Sequence, residues 1–214
     1  MKNIIILLAF ISFITCKAQT PVFPIYSLDT NYGDTTNAYY KDVDNFRDPF
    51  VGTWVYINGS ELLRVQFKKM DMYYNDNGAI PYYVDYLVGE IQYKNTNGVE
   101  SFNSLNVLNN PTQLIYNYSM FSGPSISNKG FPQCLDCPTG TRRLLMFYTE
   151  PNIDDMALKG AWAMRVVVEN GVTKLKVQFT MDSSSNGINK ANFDLPSTDG
   201  KHDVPYGEYT LIKE

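Results

Sequence analysis

Residues 162–181 read WAMRVVVENGVTKLKVQFTM, and this stretch decides the fold. Val166 and Val168 alternate with polar or outward positions before Asn170-Gly171, and Leu175, Val177 and Phe179 alternate with lysine and glutamine after it. A period of two is the signature of a half-buried strand. Asn-Gly suits the two positive-φ positions of a type I′ turn, whose twist matches that of the strands it joins. Residues 162–181 therefore read as one antiparallel hairpin.

The same grammar recurs on both sides. Val51 to Ile57 is followed by Asn58-Gly59, and Leu63, Val65 and Phe67 then alternate with Arg64, Gln66 and Lys68. Asn77-Gly78 and Asn97-Gly98 flank a Tyr- and Val-rich run from Tyr82 to Tyr93, with Gly89 as a candidate bulge. Val99 to Val107, Gln113 to Met120, Leu144 to Tyr148 and Glu208 to Lys213 read as further strands, with a Pro- and Cys-bearing loop over about 122–140. Pro151 to Gly160 has room for one helical turn, and Asp154-Asp155 would suit its start. No segment holds apolar residues at i, i+3, i+4 and i+7 over three turns. The expectation is all-β: nine or ten strands in an antiparallel up-and-down meander. Closing into a barrel removes the edges of such a meander; a two-sheet sandwich is the alternative.

Composition narrows the function classes. The chain has 214 residues, 44% hydrophobic and 14% aromatic, with a formal net charge of −4. That aromatic content excludes a disordered chain. The acidic balance argues against a general nucleic-acid binder, which needs a basic face. It argues equally against a polybasic membrane-surface protein. One His and three Cys leave little for catalytic histidine or multi-ligand metal chemistry, and neither metal nor cofactor is expected.

The N-terminus, MKNIIILLAFISFITCKAQT, has a basic start at Lys2 and an apolar run from Ile4 to Ile14. The run is too short to span a bilayer, which takes ~20 apolar residues, and fits a secretory signal. Two processing sites fit it. Cleavage after Ala18 leaves Gln19 first; alternatively, Phe13-Ile14-Thr15-Cys16 serves as a degenerate lipobox and Cys16 carries a lipid, the only membrane attachment expected. Residues 1–18 are thus read as a signal, 19–49 as an irregular lead-in serving as tether or strap, and 50–214 as a single β domain.

Gly52-Thr53-Trp54 resembles the Gly-x-Trp opening strand of lipocalins and related calycin barrels. The resemblance implies a lipocalin-like barrel with Trp54 plugging one end; Gly52, lacking a side chain, would let a neighbouring strand or loop pack closely over the Trp face. A set of short motifs over about residues 50–213 is also similar to a domain-of-unknown-function family of small bacterial envelope proteins, often lipoproteins. They are Gly52-Thr53-Trp54-Val55-Tyr56-Ile57-Asn58-Gly59, Val88-Gly89-Glu90-Ile91-Gln92-Tyr93, Asn97-Gly98-Val99 and Tyr209-Thr210-Leu211-Ile212-Lys213. Val55 and Ile91 depart from that family's pattern. This resemblance implies an envelope location and a barrel-like fold, and no activity.

Few residues suggest chemistry. Cys134-Leu135-Asp136-Cys137 lies between Pro132 and Pro138, in a loop rather than at the helix start a redox pair uses. A zinc site would need four ligands. A structural disulfide in an exported protein is the reading adopted. His202 sits in the polar stretch Asp199-Gly200-Lys201-His202-Asp203 and reads as a solvated loop residue, with no nucleophile elbow to serve. Asp29, Asp34, Asp42, Asp44 and Asp48 read as solvating the lead-in. Tyr73-Tyr74, Tyr82-Tyr83, Tyr86 and Tyr93 are different. Adjacent strand residues face opposite sides, so one ring of each pair must sit near solvent or a barrel lumen. Tyrosine faces suit flat ligands and sugars. Tyr82, Tyr83, Tyr86 and Tyr93 are the candidate ligand contacts. The expected function is a non-enzymatic exported envelope protein holding a small apolar or amphiphilic ligand in its barrel; the alternative is a surface or glycan-binding module using exposed tyrosines.

Overall fold

The computed structural model describes residues 20–25, 33–110, 114–153, 159–181 and 202–214. Among the described residues eleven strands run in chain order: β1 Val22–Pro24, β2 Tyr39–Lys41, β3 Gly52–Asn58, β4 Glu61–Asn75, β5 Tyr82–Lys94, β6 Glu100–Asn103, β7 Met120–Ser127, β8 Arg142–Tyr148, β9 Gly160–Glu169, β10 Val172–Met181 and β11 Gly207–Lys213. Eight of them, β3, β4, β5, β7, β8, β9, β10 and β11, pair antiparallel in that order, and β11 returns to β3 through Ile212–Val55 and Lys213–Trp54. The result is a closed eight-stranded barrel of the lipocalin-like kind. Apart from short 3-10 turns, the described residues form no helix, and none is long and apolar enough to cross a membrane.

The 162–181 hairpin forms, with Val166 packed against the core while Val168, read with it, is 69% exposed. Glu169 pairs with Val172, and Asn170 and Gly171 take φ of 54° and 76°. The first hairpin turns one residue later than Asn58-Gly59 suggests. Asn58 pairs with Glu61, so Gly59 (φ 62°) and Ser60 make the turn, with the glycine at the first central position. Around Asn97-Gly98 the loop is longer, and the Asn95 side chain accepts from the Asn97 and Val99 amides.

Gly89 is not a bulge. It stays in register with Phe67, and a Cβ there would lie 2.5 Å from the Phe67 ring. The glycine lets an interior ring cross the strand. Gly160 does the same for Phe179 and Tyr148, at 2.5 and 2.9 Å. The irregularity in this hairpin lies instead in β4, between Met70 and Tyr73, where Met72 takes φ 53°.

Closure is narrow between β5 and β7. Only Val88–Phe121 and Gly89–Met120 pair there. Side chains extend the seam. Ser122 Oγ accepts from the Leu87 amide (3.0 Å) and from Arg47 Nε (3.2 Å). Glu90 accepts from the Ser119 amide (3.1 Å) and hydroxyl (2.5 Å). The strand expected over Val99–Val107 forms only in part, and the described residues from Leu114 to Ser119 form none. Only β6 pairs, with the end of β5, and Leu105–Asn109 and Ile115–Asn117 are 3-10 turns. The reason is burial. Leu108, Ile115 and Tyr118 pack with Val88 on the outer face of β5, forming a small second core instead of a ladder.

The lead-in contributes two strands. β1 pairs parallel with β2, and β2 pairs parallel with the start of β5. Ile25, Ala38, Tyr40 and Val84 form a third core beneath this strap. Residues 1–19, which hold the signal and Cys16, lie outside the described residues, as do Asp29, Asp154 and Asp155.

Candidate functional site

The barrel interior is a packed core. Inward positions alternate along each strand, and Trp54, Leu63, Val65, Leu87, Ile91, Met120, Leu144, Met146, Trp162, Met164, Leu175, Phe179 and Leu211 are each 0% exposed and in mutual contact. At one end the rings of Tyr148, Trp162, Phe179, His202 and Tyr206 stack with centroids 4.9–5.8 Å apart. Protein cores of this kind are close-packed. A ligand placed there would have to displace side chains already in contact.

The barrel's outside offers more. Past the bulge at Met72, β4 and β5 run on together with β2 added alongside. Tyr39 pairs with Tyr83, and Tyr83 with Tyr74. Residues directly opposite in a ladder share a face, so three tyrosines stand in one row across three strands. The row grades from buried to open: Tyr39 is 9% exposed, Tyr83 half-buried and Tyr74 46% exposed. The rings of Tyr74 and Tyr83 lie 5.1 Å apart, tilted by 46°. Met72, also exposed, and Lys41, whose ammonium lies 6.0 Å from the Tyr39 ring, flank the row.

One buried carboxylate organises this end. Asp85 Oδ1 accepts from the Tyr39 hydroxyl (2.6 Å) and the Met72 amide (3.0 Å), and Oδ2 accepts from the Asp42 amide (2.9 Å). It thereby ties the strap to the β4 bulge. Burial, reinforced by Asp85, raises the Tyr39 phenol pKa above its usual value, so it stays a hydrogen-bond donor. Asp42 is itself buried and accepts from the Phe46 and Arg47 amides, a turn-forming role in place of the expected solvation. Sequence reading missed Tyr39 and Asp85. The pairing of a lead-in strand with β5 is what makes them part of the site, and no local period announces it.

The four candidate tyrosines separate. Only Tyr83 joins the row. Tyr82 packs edge-on to Tyr40 (5.2 Å), and its hydroxyl accepts from Asn75. Tyr86 meets Tyr73 at 5.7 Å within the outer cores. Tyr93 faces the barrel interior, 2% exposed, and donates to Glu61 (2.9 Å), so no ligand reaches it. Trp54 is fully buried, its indole N–H donating to the Phe50 carbonyl at 2.7 Å. The Lys213 ammonium sits 5.2 Å from its ring. Gly52 has φ 119°, and a Cβ there would meet the Lys213 chain at 3.1 Å. Cys134 and Cys137 are joined in a disulfide.

His202 is a correction. It is 6% exposed, not solvated, because it stacks among Tyr148, Phe179 and Tyr206, with Nδ1 2.8 Å from the Tyr206 hydroxyl. Beside it, the buried Glu150 accepts from the Asp203 amide (2.8 Å) and the Tyr148 hydroxyl (3.1 Å). Burial raises the pKa of Glu150 and lifts that of Tyr206 to about 12. These bonds anchor the last strand's approach to the barrel end.

Over residues 1–214 the chain matches the family model of DUF6705, a family of unknown function, and it belongs to that family. No curated protein and no solved structure matches it.

Proposed function

We propose that this member of DUF6705 is an exported, non-enzymatic binding module that meets an extended ligand, a surface glycan, at the Tyr39–Tyr83–Tyr74 row. One observation carries the reading: a graded row of three tyrosines in register across β2, β5 and β4, set outside a barrel whose own interior is filled. Adjacent strands lie ~4.8 Å apart, so the row repeats on the length scale of a sugar ring. Tyrosine offers both a stacking face and a hydroxyl.

The signal-like residues 1–18 and a disulfide, which persists in oxidising compartments, support export to the cell envelope. Anchoring through a lipid on Cys16, or release after Ala18, is decided by intact-mass analysis of native protein; retention of Met1 would overturn export. A hydrolytic role lacks support, since the one histidine is committed to an aromatic stack.

The binding reading is tested with a panel of envelope oligosaccharides immobilised on an array, using the wild-type chain and Tyr74→Ala, Tyr83→Ala and the double variant. Wild type should retain one glycan class, with each single substitution weakening it by roughly 1–3 kcal/mol, the range of a stacking contact. Equal retention by wild type and double variant would overturn the assignment of the row.

A further inference from the structure

A second feature lies on the other side of the ring, on the outer face of β8 to β11. Arg165 on β9 pairs with Lys176 on β10, and Lys176 with Thr210 on β11. Arg143, on neighbouring β8, completes a cationic row. The loop carrying Cys134–Cys137 lies against this row, and between loop and sheet is a small cleft of about 80 Å³, lined by Cys134, Asp136 and all three cations. A shallower hollow, sharing Asp136, Gln178 and Glu208, continues it past Leu135, which is 87% exposed at the loop tip.

The charges in the cleft do not balance evenly. Asp136 bonds Arg165 (2.5 Å), and Glu169 serves Lys174 (2.9 Å) and Lys176 (3.5 Å). Glu208 accepts from the Gln178 amide group (3.0 Å). Among the described residues Arg143 makes no ion pair with a carboxylate, and Asp136 acts on it only at a distance. Arg143 is 1% exposed, and its guanidinium donates only to neutral oxygens: Gln178 Oε1 (2.6 Å) and the Ser127 and Gly130 carbonyls (2.9 Å each). Its Nε, also buried, has no partner among the described residues. A buried cation is costly unless an anion compensates it. A guanidinium lining a cleft beside two further cations is built for oxyanion recognition.

We propose that this cleft binds a small oxyanion, the carboxylate or phosphoryl group of a ligand, through Arg165 and Lys176, with the buried guanidinium of Arg143 adding its charge beside them. Asp136, 71% exposed in its side chain and set on the disulfide ring, is a resident carboxylate on Arg165. The incoming anion displaces it, and it swings into solvent without becoming buried. The site is independent of the tyrosine row, which lies on β2, β4 and β5.

The test exploits the chain's five arginines, at 47, 64, 142, 143 and 165. Their Nε–H signals are resolved by ¹⁵N NMR and followed through titrations with inorganic phosphate and, separately, sodium acetate, against sodium chloride at matched ionic strength. The Arg143 and Arg165 signals should move saturably with phosphate, acetate or both, and the arm that saturates identifies the group. Asp136→Asn should tighten binding. Arg165→Gln, at a partly exposed position that leaves the Arg143 bonds intact, should weaken it by about tenfold or more, as for loss of one hydrogen bond to a charged group. Non-saturating shifts, or shifts no larger than those of Arg64 and Arg142, would overturn the proposal. So would an unchanged affinity in both variants, whose folding is checked by circular dichroism.

Discussion

Trp54→Ala tests whether the barrel end is closed as the structure has it. The indole is 0% exposed, packs in the same core as Phe50, Val65 and Leu211, and lies under the Lys213 chain. A buried tryptophan removes roughly 200 Å² from water, worth about 5 kcal/mol at ~25 cal/mol/Å². Measured Trp→Ala losses of about 3–5 kcal/mol agree. The truncation also leaves the Phe50 carbonyl without the indole donor it holds at 2.7 Å. The expected loss is therefore about 4 kcal/mol, a large share of a typical ~5–15 kcal/mol stability. Trp162 provides the internal control. It is equally buried, but its N–H has no partner among the described residues. Trp→Phe keeps most of the ring at either site. At Trp54 it removes a made hydrogen bond, and at Trp162 it removes an unpaired buried donor, so Trp54→Phe should cost more than Trp162→Phe by about 1 kcal/mol or more. Urea denaturation of the three variants, read as midpoint shifts at unchanged slope, decides it. A Trp54→Ala loss below about 1 kcal/mol, the range of surface changes, would refute the buried-plug assignment.

Three further outcomes follow from particular contacts. Gly89→Ala sets a methyl 2.5 Å from the Phe67 ring, and should cost about 1–3 kcal/mol of overpacking by the same urea assay; Phe67→Leu in the same chain should recover part of it. Replacing Cys134 and Cys137 by Ser opens a ring spanning a sequence separation of 3, and should lower stability by only about 2 kcal/mol; two free thiols in unreduced native protein would remove the disulfide altogether. Burial raises the pKa of Glu90 and Glu150 above the ordinary 4.5, against the lowering effect of Ser104 and Ser119 at Glu90 and of Asp203, Tyr148 and Val204 at Glu150. The folded chain thus holds these protons more tightly than the unfolded one. That stabilisation is complete below the ordinary value and is lost as pH rises through the raised one. Unfolding free energy measured from pH ~4 upward should fall less steeply in Glu90→Gln and Glu150→Gln than in the wild type.

The period-two runs and Asn-Gly signals were enough to read an antiparallel all-β meander, because strand periodicity and turn chemistry are local properties of the chain. The 162–181 hairpin, the alternation of Leu63, Val65 and Phe67, and the last strand at 207–213 all follow from it. What no local pattern carries is which distant groups meet. The strap's union with β5 makes Tyr39 a neighbour of Tyr83, 44 positions along, and gives Asp85 its three donors. Leu108, Ile115 and Tyr118 lie where strands were expected, yet their side chains gain more by covering the outside of β5. Gly89 reads as a bulge in one dimension and proves a seat for a ring from the next strand, because close approach depends on what lies opposite. His202 looks solvated among polar neighbours in sequence, and three aromatic residues from three separate segments, Tyr148, Phe179 and Tyr206, pack around it. That the described inward positions pack against one another depends on which rings meet across the barrel, and that exists only once the register of all eight strands is fixed.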